Sequence, residues 1–138
     1  MLNINRQDYS ISTDQDQLDV KAIHAFLSTS YWSPGIPIAV VRHAIENSLC
    51  FGVFHGTEQV GFARVITDYA TTYYICDVII DSKYRGYGFG KKLMESIVSD
   101  QDFCDLKGIL VTKDAHGLYE KFGFAKDGSI FMQKARKI

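Results

Sequence analysis

Cysteine, proline and net charge are all scarce in this sequence. Its 138 residues include three cysteines and two prolines, and its formal net charge is −1. Because the cysteines are odd in number and follow no spacing pattern, they predict reduced thiols in a cytoplasmic protein and not a disulfide framework. No cluster of cysteine and histidine has zinc spacing, so no metal site is expected. The near-neutral charge argues against nucleic-acid binding as the main role.

Long hydrophobic runs and export signals are lacking too. No apolar run approaches the roughly 20 residues that a membrane-spanning helix needs. The first residues, MLNINRQDYS, have neither the basic start nor the apolar core of a signal peptide. We therefore expect a cytoplasmic location and no membrane partner. The length fits one domain, over residues 1–138, that is large enough to bury a core.

The hydrophobic periodicity predicts a mixed sheet with helices packed on it, an α/β fold of the α+β type. Helical spacing marks two early helices, the first capped by Asp16 or a neighbour. It also marks two later helices, one with Phe89 and Leu93 on its buried face and a short one at 115–122. Apolar runs bounded by turns predict strands at 11–13, 49–55, 59–67, 73–81, 108–112 and 130–134.

The segment between the third long strand and the next helix is rich in glycine. It reads RGYGFG, from Arg85 to Gly90. Lys91 stands where a dinucleotide-binding fingerprint needs its third glycine, and Lys92 stands where a Walker A loop needs serine or threonine. A plain strand-to-helix turn needs one glycine and not three. Because glycines at a helix N-terminus leave the backbone amides open to an anion, the segment predicts a phosphate-binding loop.

A second segment, GLYEKFGF at 117–124, places Tyr119 on the short late helix. Together with the loop, it resembles the GNAT superfamily of acyl-CoA-dependent N-acetyltransferases. Members carry Arg/Gln-x-x-Gly-x-Gly/Ala after their fourth strand, which Arg85–Gly90 matches, and a tyrosine on a late helix. The resemblance covers about residues 49–124. It implies the GNAT fold and acetyl-CoA as cosubstrate, with no metal.

By that resemblance, the loop amides hold the pyrophosphate of coenzyme A, and the preceding strand lies along its pantetheine arm. The cofactor-binding residues that it implies are Val78, Ile79, Ile80, Arg85, Gly86, Tyr87, Gly88, Phe89, Gly90 and Lys91. Many members also contact the pantetheine through an asparagine seven positions before the late tyrosine. That position is Thr112 here, and its hydroxyl would make a weaker contact.

The resemblance also implies an acid and a base. Tyr119 is the expected general acid, because a phenol stays protonated at neutral pH and can donate to the departing thiolate. Asp77 is the preferred base, with His116, Asp68 and Asp114 as alternatives. A hydrogen-bonded structural role accounts for Asp77 equally well, and His116 also fits a residue that starts a helix.

The acceptor pocket of this family flanks the connection between the first two helices. Tyr31 and Trp32 lie there, and Arg64 and Tyr69 come from the central strands, so these four are candidate substrate-binding residues. Packing of the helix corner explains the aromatic pair nearly as well.

The expected function is an enzyme, an N-acetyltransferase that moves the acetyl group of acetyl-CoA directly to a primary amine of a small molecule or peptide. A covalent route through Cys76 is a lesser variant of that reaction. The alternative from another class is a non-catalytic acyl-CoA sensor or interaction module on the same fold. A homodimer is compatible with either function.

Overall fold

A five-stranded sheet runs through the part of the chain that the structure describes. The structure is a computed structural model and describes residues 8–128 and 130–137. In sheet order, the strands are β1 (Tyr9–Ser12), β2 (Leu49–His55), β3 (Glu58–Thr67), β4 (Thr72–Ile80) and β5 (Lys107–Leu110). The first four pair antiparallel, and β5 pairs parallel with β4. The predicted mixed sheet with flanking helices is confirmed.

Helices cover both faces of the sheet and divide the core in two. Side chains of α1 (Val20–Ser28) and α2 (Ile38–Glu46) pack with Cys50 of β2. Those of α3 (Phe89–Val98) pack with the next residue, Phe51, because neighbouring residues of a strand point to opposite faces. Each fully buried leucine or isoleucine stabilises the fold by about 1.5–3 kcal/mol, so these two clusters hold the helices on the sheet.

Local hydrogen bonds set the ends of several elements. The cap of α1 is Asp19, three residues after Asp16, and its Oδ1 accepts a hydrogen bond from the amide of Ala22 at 3.1 Å. β1 starts two residues earlier than the sequence pattern predicts, because Tyr9 already pairs with His55. The late helix, α4 (His116–Glu120), is shorter than predicted. None of the helices in the described ranges is long and apolar enough to cross a bilayer.

The predicted closing strand at residues 130–134 is wrong. The structure gives residues 130–137 neither strand nor helix, and the side chain of Met132 is 93% exposed. Strand preference mostly reflects packing against neighbouring strands, and this segment pairs with none of the strands in the described part of the chain. Its apolar residues alone are therefore not sufficient to form a strand.

Candidate active site

The glycine-rich loop forms the entry to α3. Gly86 and Gly88 both adopt left-handed backbone conformations, with φ of +86° and +85°, and Gly88 is the N-cap of the helix. Glycine is favoured there because a side chain would strain such a backbone. The first backbone hydrogen bond of the helix runs from the amide of Lys92 to the carbonyl of Gly88.

The amides of this loop are available for a ligand. Among the described residues, the amides from Gly86 to Lys91 donate to no backbone carbonyl. A Cβ atom added at Gly86, Gly88 or Gly90 would meet no atom within 4 Å, so the space beside the loop is open. Unpaired amides and the positive end of the helix dipole make such a space suited to an anion.

The side chains of the loop have different roles from its backbone. Phe89 is buried in the core, and Tyr87 is partly buried against the same cluster, so both can reach a ligand in the loop only through their backbone or an edge. The Arg85 Nε donates to the carbonyl of Ile80 at 3.0 Å, which ties the loop to the end of β4. Lys91 is exposed at the start of the helix.

β4 and β5 separate in the direction of this loop. They pair only from Thr72 with Lys107 to Ile75 with Leu110. Further along β4, Ile79 and Ile80 still pair with β3, but Val78, Ile79 and Ile80 have no β5 partner. The edge of β4 that faces the gap is therefore free to pair with an extended ligand.

Asp77 occupies a bulge in β4 beside that gap. Its φ is +58°, and Asp77 and Val78 together stand opposite the single residue Ala63 of β3. A left-handed conformation is uncommon outside glycine and is found at functional sites. The bulge turns the Asp77 side chain into contacts that an ordinary strand position would not give it.

The Asp77 carboxylate is held by two donors. Its Oδ2 accepts from the Arg64 Nε at 2.8 Å, and its Oδ1 accepts from the Trp32 Nε1 at 3.0 Å. The Arg64 Nη1 in turn donates to the Ser48 Oγ at 3.1 Å. Burial alone lowers the pKa of Arg64, but the charge of Asp77 and their hydrogen bond outweigh it and raise that pKa. The ion pair is a fixed part of the site.

The connection between α1 and α2 bridges the gap. While Trp32 bonds to Asp77 on β4, the Tyr31 hydroxyl accepts from the amide of Lys113, just after β5, at 3.0 Å. The two rings stand edge to face, 5.0 Å apart. Three of the four residues predicted to bind the acceptor substrate, Tyr31, Trp32 and Arg64, thus lie together. The fourth, Tyr69, lies in the turn before β4, and no hydrogen bond of the described residues joins it to the others.

Tyr119 lies on α4 and packs partly buried against the α3 core cluster. Burial raises the pKa of its hydroxyl above the ordinary value of 10.0, and the charges of Tyr31 and Asp114 add to the effect. The phenol is therefore a proton donor throughout the neutral range. His116 is the first residue of the same helix. The Thr112 Oγ1 accepts from the amide of Ala115 at 3.1 Å, so this hydroxyl stabilises the turn into α4.

Cys76 and Asp68 are poorly suited to the roles that the sequence left open. Burial raises the pKa of Cys76 to about 12, so almost no thiolate exists at neutral pH. The Asp68 carboxylate accepts hydrogen bonds from Thr71, Ala70 and Thr72, led by the amide of Thr71, and these hold its pKa well below the usual range. It stabilises the β3–β4 turn.

Sequence reasoning missed three contributors to the site. Ser48 binds Arg64, Lys113 supplies the amide for Tyr31, and Arg136 lines a pocket together with Arg64 and Asp77. No sequence signal joins them, because each partner is far away along the chain. No group of three metal-ligating side chains occurs among the described residues.

Comparison with known proteins gives consistent relatives. A family model described as an acetyltransferase (GNAT) domain matches residues 46–126. A crystal structure from Xanthomonas campestris pv. campestris, assigned to the GNAT family of acetyltransferases, is 42% identical, with a TM-score of 0.88 and coverage of 93% of each chain. A Gibberella zeae protein named as an acetyltransferase is 34% identical over 67% of this chain.

A Clostridium acetobutylicum structure shows likeness of fold alone. It is a predicted acetyltransferase with acetyl-CoA, is 15% identical at a TM-score of 0.66, and the match covers 91% of this chain and 94% of that one. Curated relatives are longer than this chain. The match spans 64% of the Gibberella zeae protein and about half of several others.

Proposed function

This chain belongs to the GNAT acetyltransferase family, and on that premise we propose that it transfers the acetyl group of acetyl-CoA directly to a primary amine. The proposal treats residues 1–138 as one catalytic domain. It includes a cytoplasmic location, which the free thiols of Cys50, Cys76 and Cys104 support.

The observation that carries the proposal is the open glycine loop at the mouth of the gap between β4 and β5. The unpaired amides from Gly86 to Lys91 and the open space beside Gly88 fit a pyrophosphate. The free edge of β4 at Val78–Ile80 fits an arm that pairs through amide groups. Acetyl-CoA would supply an acyl group activated as a thioester.

The residues around the gap would then have different roles in the reaction. Tyr119 would hold a proton on its hydroxyl for the departing sulfur, which its raised pKa favours. Asp77 would accept an N–H of the incoming amine, because each carboxylate oxygen keeps a lone pair after binding Arg64 and Trp32. Trp32 and Arg64 would keep that carboxylate in place, and His116 and Thr112 would flank the acyl end of the gap.

A screen of amines with acetyl-CoA tests the proposal. Amino acids, polyamines, arylamines and peptides are each incubated with the protein, and free thiol release and the product mass are measured. We expect thiol release that depends on one acceptor class and a product heavier by one acetyl group. Tight binding of acetyl-CoA without thiol release for any amine would favour the sensor alternative instead.

A further inference from the structure

A small pocket lies between α1, α2 and the sheet, at the level of the β4 bulge. Its polar lining comes from Ser33, Arg64, Asp77 and Arg136, and the rest is apolar. Its volume is about 40 Å³, which is room for a group of a few heavy atoms, since a cavity needs about 10–15 Å³ of such space to hold one water. A carboxylate is of that size, whereas a long side chain is not.

The charges that line this pocket do not balance. Arg64 is paired with Asp77, and this is the one ion pair among the residues that the structure describes. Arg136 therefore brings a second guanidinium with no carboxylate partner in that part of the chain. Two cations against one anion leave a single positive charge at the pocket, beside apolar walls.

An amine acceptor that also carries a carboxylate would meet both signs of charge here. Its ammonium group is complementary to Asp77, and its carboxylate is complementary to Arg136, whose planar fork of N–H groups matches a carboxylate. A simple alkylamine would leave Arg136 without a partner. A lysine side chain within a protein also has no carboxylate near its amine.

We propose that Arg136 binds the carboxylate of the acceptor, and that the acceptor is therefore an amino acid acetylated on its α-amine. This inference rests on the proposed acetyl transfer and goes further, because it names the substrate class and a specificity residue in the segment after α4. The reaction joins the amine nitrogen to the acetyl carbon and breaks the carbon–sulfur bond. Of the two protons that the ammonium loses, one goes to the base or solvent and the other replaces the proton that Tyr119 gives to the thiolate.

Paired acceptors and paired variants test the inference. The common amino acids are each compared with their amides, which keep the shape and remove the negative charge. The variants are Arg136→Gln and, as the matched control, Lys137→Gln, which removes one positive charge from the next residue of the exposed tail. Initial rates of thiol release give kcat/KM, and calorimetry in the presence of coenzyme A gives acceptor affinity.

For the wild-type protein, we expect at least one amino acid to exceed its amide by about 10- to 100-fold in kcat/KM, the range for a charge-assisted hydrogen-bonded pair. Arg136→Gln should remove that preference by raising the KM for the amino acid, while Lys137→Gln should keep the preference. Equal rates for acids and amides, or a preference that survives Arg136→Gln, would overturn the inference and leave acetyl transfer intact. Absence of thiol release for every amine would instead refute the proposed function. In that case calorimetry still tests the role of Arg136. Amino-acid binding that is unchanged in Arg136→Gln would overturn the inference as well.

Discussion

At the scale of single residues, Asp77 combines an observed structural contact with the catalytic role that we propose for it. Its bond to Arg64 is largely buried, with side-chain exposures of 18% for Arg64 and 10% for Asp77, so removing either charge leaves the other poorly solvated. Both Asp77→Asn and Arg64→Gln should therefore lower the melting temperature. A stability measurement alone does not separate the two roles, but a pH profile does.

We expect Asp77→Asn to reduce turnover strongly at low pH and less at high pH, where more of the amine is already deprotonated. Arg64→Gln is the control, because it breaks the same ion pair and keeps the carboxylate. It should lose stability to a similar extent, but keep more of its turnover at low pH than Asp77→Asn does, because the carboxylate remains. If both variants lost activity equally at every pH, Asp77 would be a structural residue only.

For Tyr119, a structural role and the proposed catalytic role can be separated more cleanly. No hydrogen bond joins its hydroxyl to the rest of the described chain. Tyr119→Phe removes the proton donor and keeps the ring in the core. Turnover should fall by about ten- to a thousand-fold, with the affinity for coenzyme A and the melting temperature nearly unchanged. Stopped-flow or steady-state thiol release measures this, and Tyr73→Phe, in β4 and part of the same core cluster, serves as the control. Turnover within about twofold of wild type, with chemistry limiting, would refute the acid role.

At the scale of elements, the proposed binding of coenzyme A at the entry to α3 can be tested by two glycine substitutions that differ in backbone strain. Gly88 is left-handed and Gly90 is not, yet neither would place a Cβ against the protein. Gly88→Val should abolish coenzyme A binding and destabilise the fold by about 1–2 kcal/mol, because of the backbone conformation. Gly90→Leu should keep or raise the melting temperature, since leucine favours helix over glycine, and still weaken coenzyme A binding at least tenfold. Unchanged affinity in Gly90→Leu, measured by calorimetry, would place the anion elsewhere.

The elements show which parts of the structure a sequence can predict. The faces of α1, α2 and α3 follow from helical spacing, and the loop follows from glycines at a known place between strand and helix. The bulge at Asp77 could not be predicted, because a left-handed aspartate depends on partners 13 and 45 residues away in the chain. The segment at 130–134 has the composition of a strand, but only the tertiary structure decides whether an edge receives it.

At the scale of the whole molecule, the α1–α2 connection joins both sides of the gap. Tyr31 reaches the segment after β5 and Trp32 reaches β4, so a ligand that enters between these strands also meets groups that the acceptor would contact. The proposed base, the proposed acid and the proposed acceptor pocket therefore lie in one continuous region and not in separate patches. Cys76 precedes Asp77 in β4, and its thiol donates to the carbonyl of Arg64 at 3.4 Å, which links the pH stability of the fold to this region.

Cys76 allows that link to be measured. Burial raises its pKa to about 12 in the folded protein, while a thiol in the unfolded chain titrates near ~8.5. Above pH ~8.5 the unfolded chain loses this proton and the folded protein keeps it, so the stabilising contribution is complete below ~8.5 and declines up to the folded pKa. The free energy of unfolding should fall by at most about 1.4 kcal/mol per pH unit from this thiol.

Urea unfolding under reducing conditions between roughly pH 7.5 and 10.5 measures this effect. The free energy of unfolding should decline less steeply with pH for Cys76→Ala than for the wild type. The variant should start from a lower stability because it leaves a cavity, so the slope and not the absolute value is the readout. It should also retain most of its thiol-release activity at neutral pH, since the acetyl group does not pass through this sulfur in the direct transfer that we propose. Parallel stability curves would contradict the burial of the thiol, and loss of activity without loss of folding would restore the covalent route.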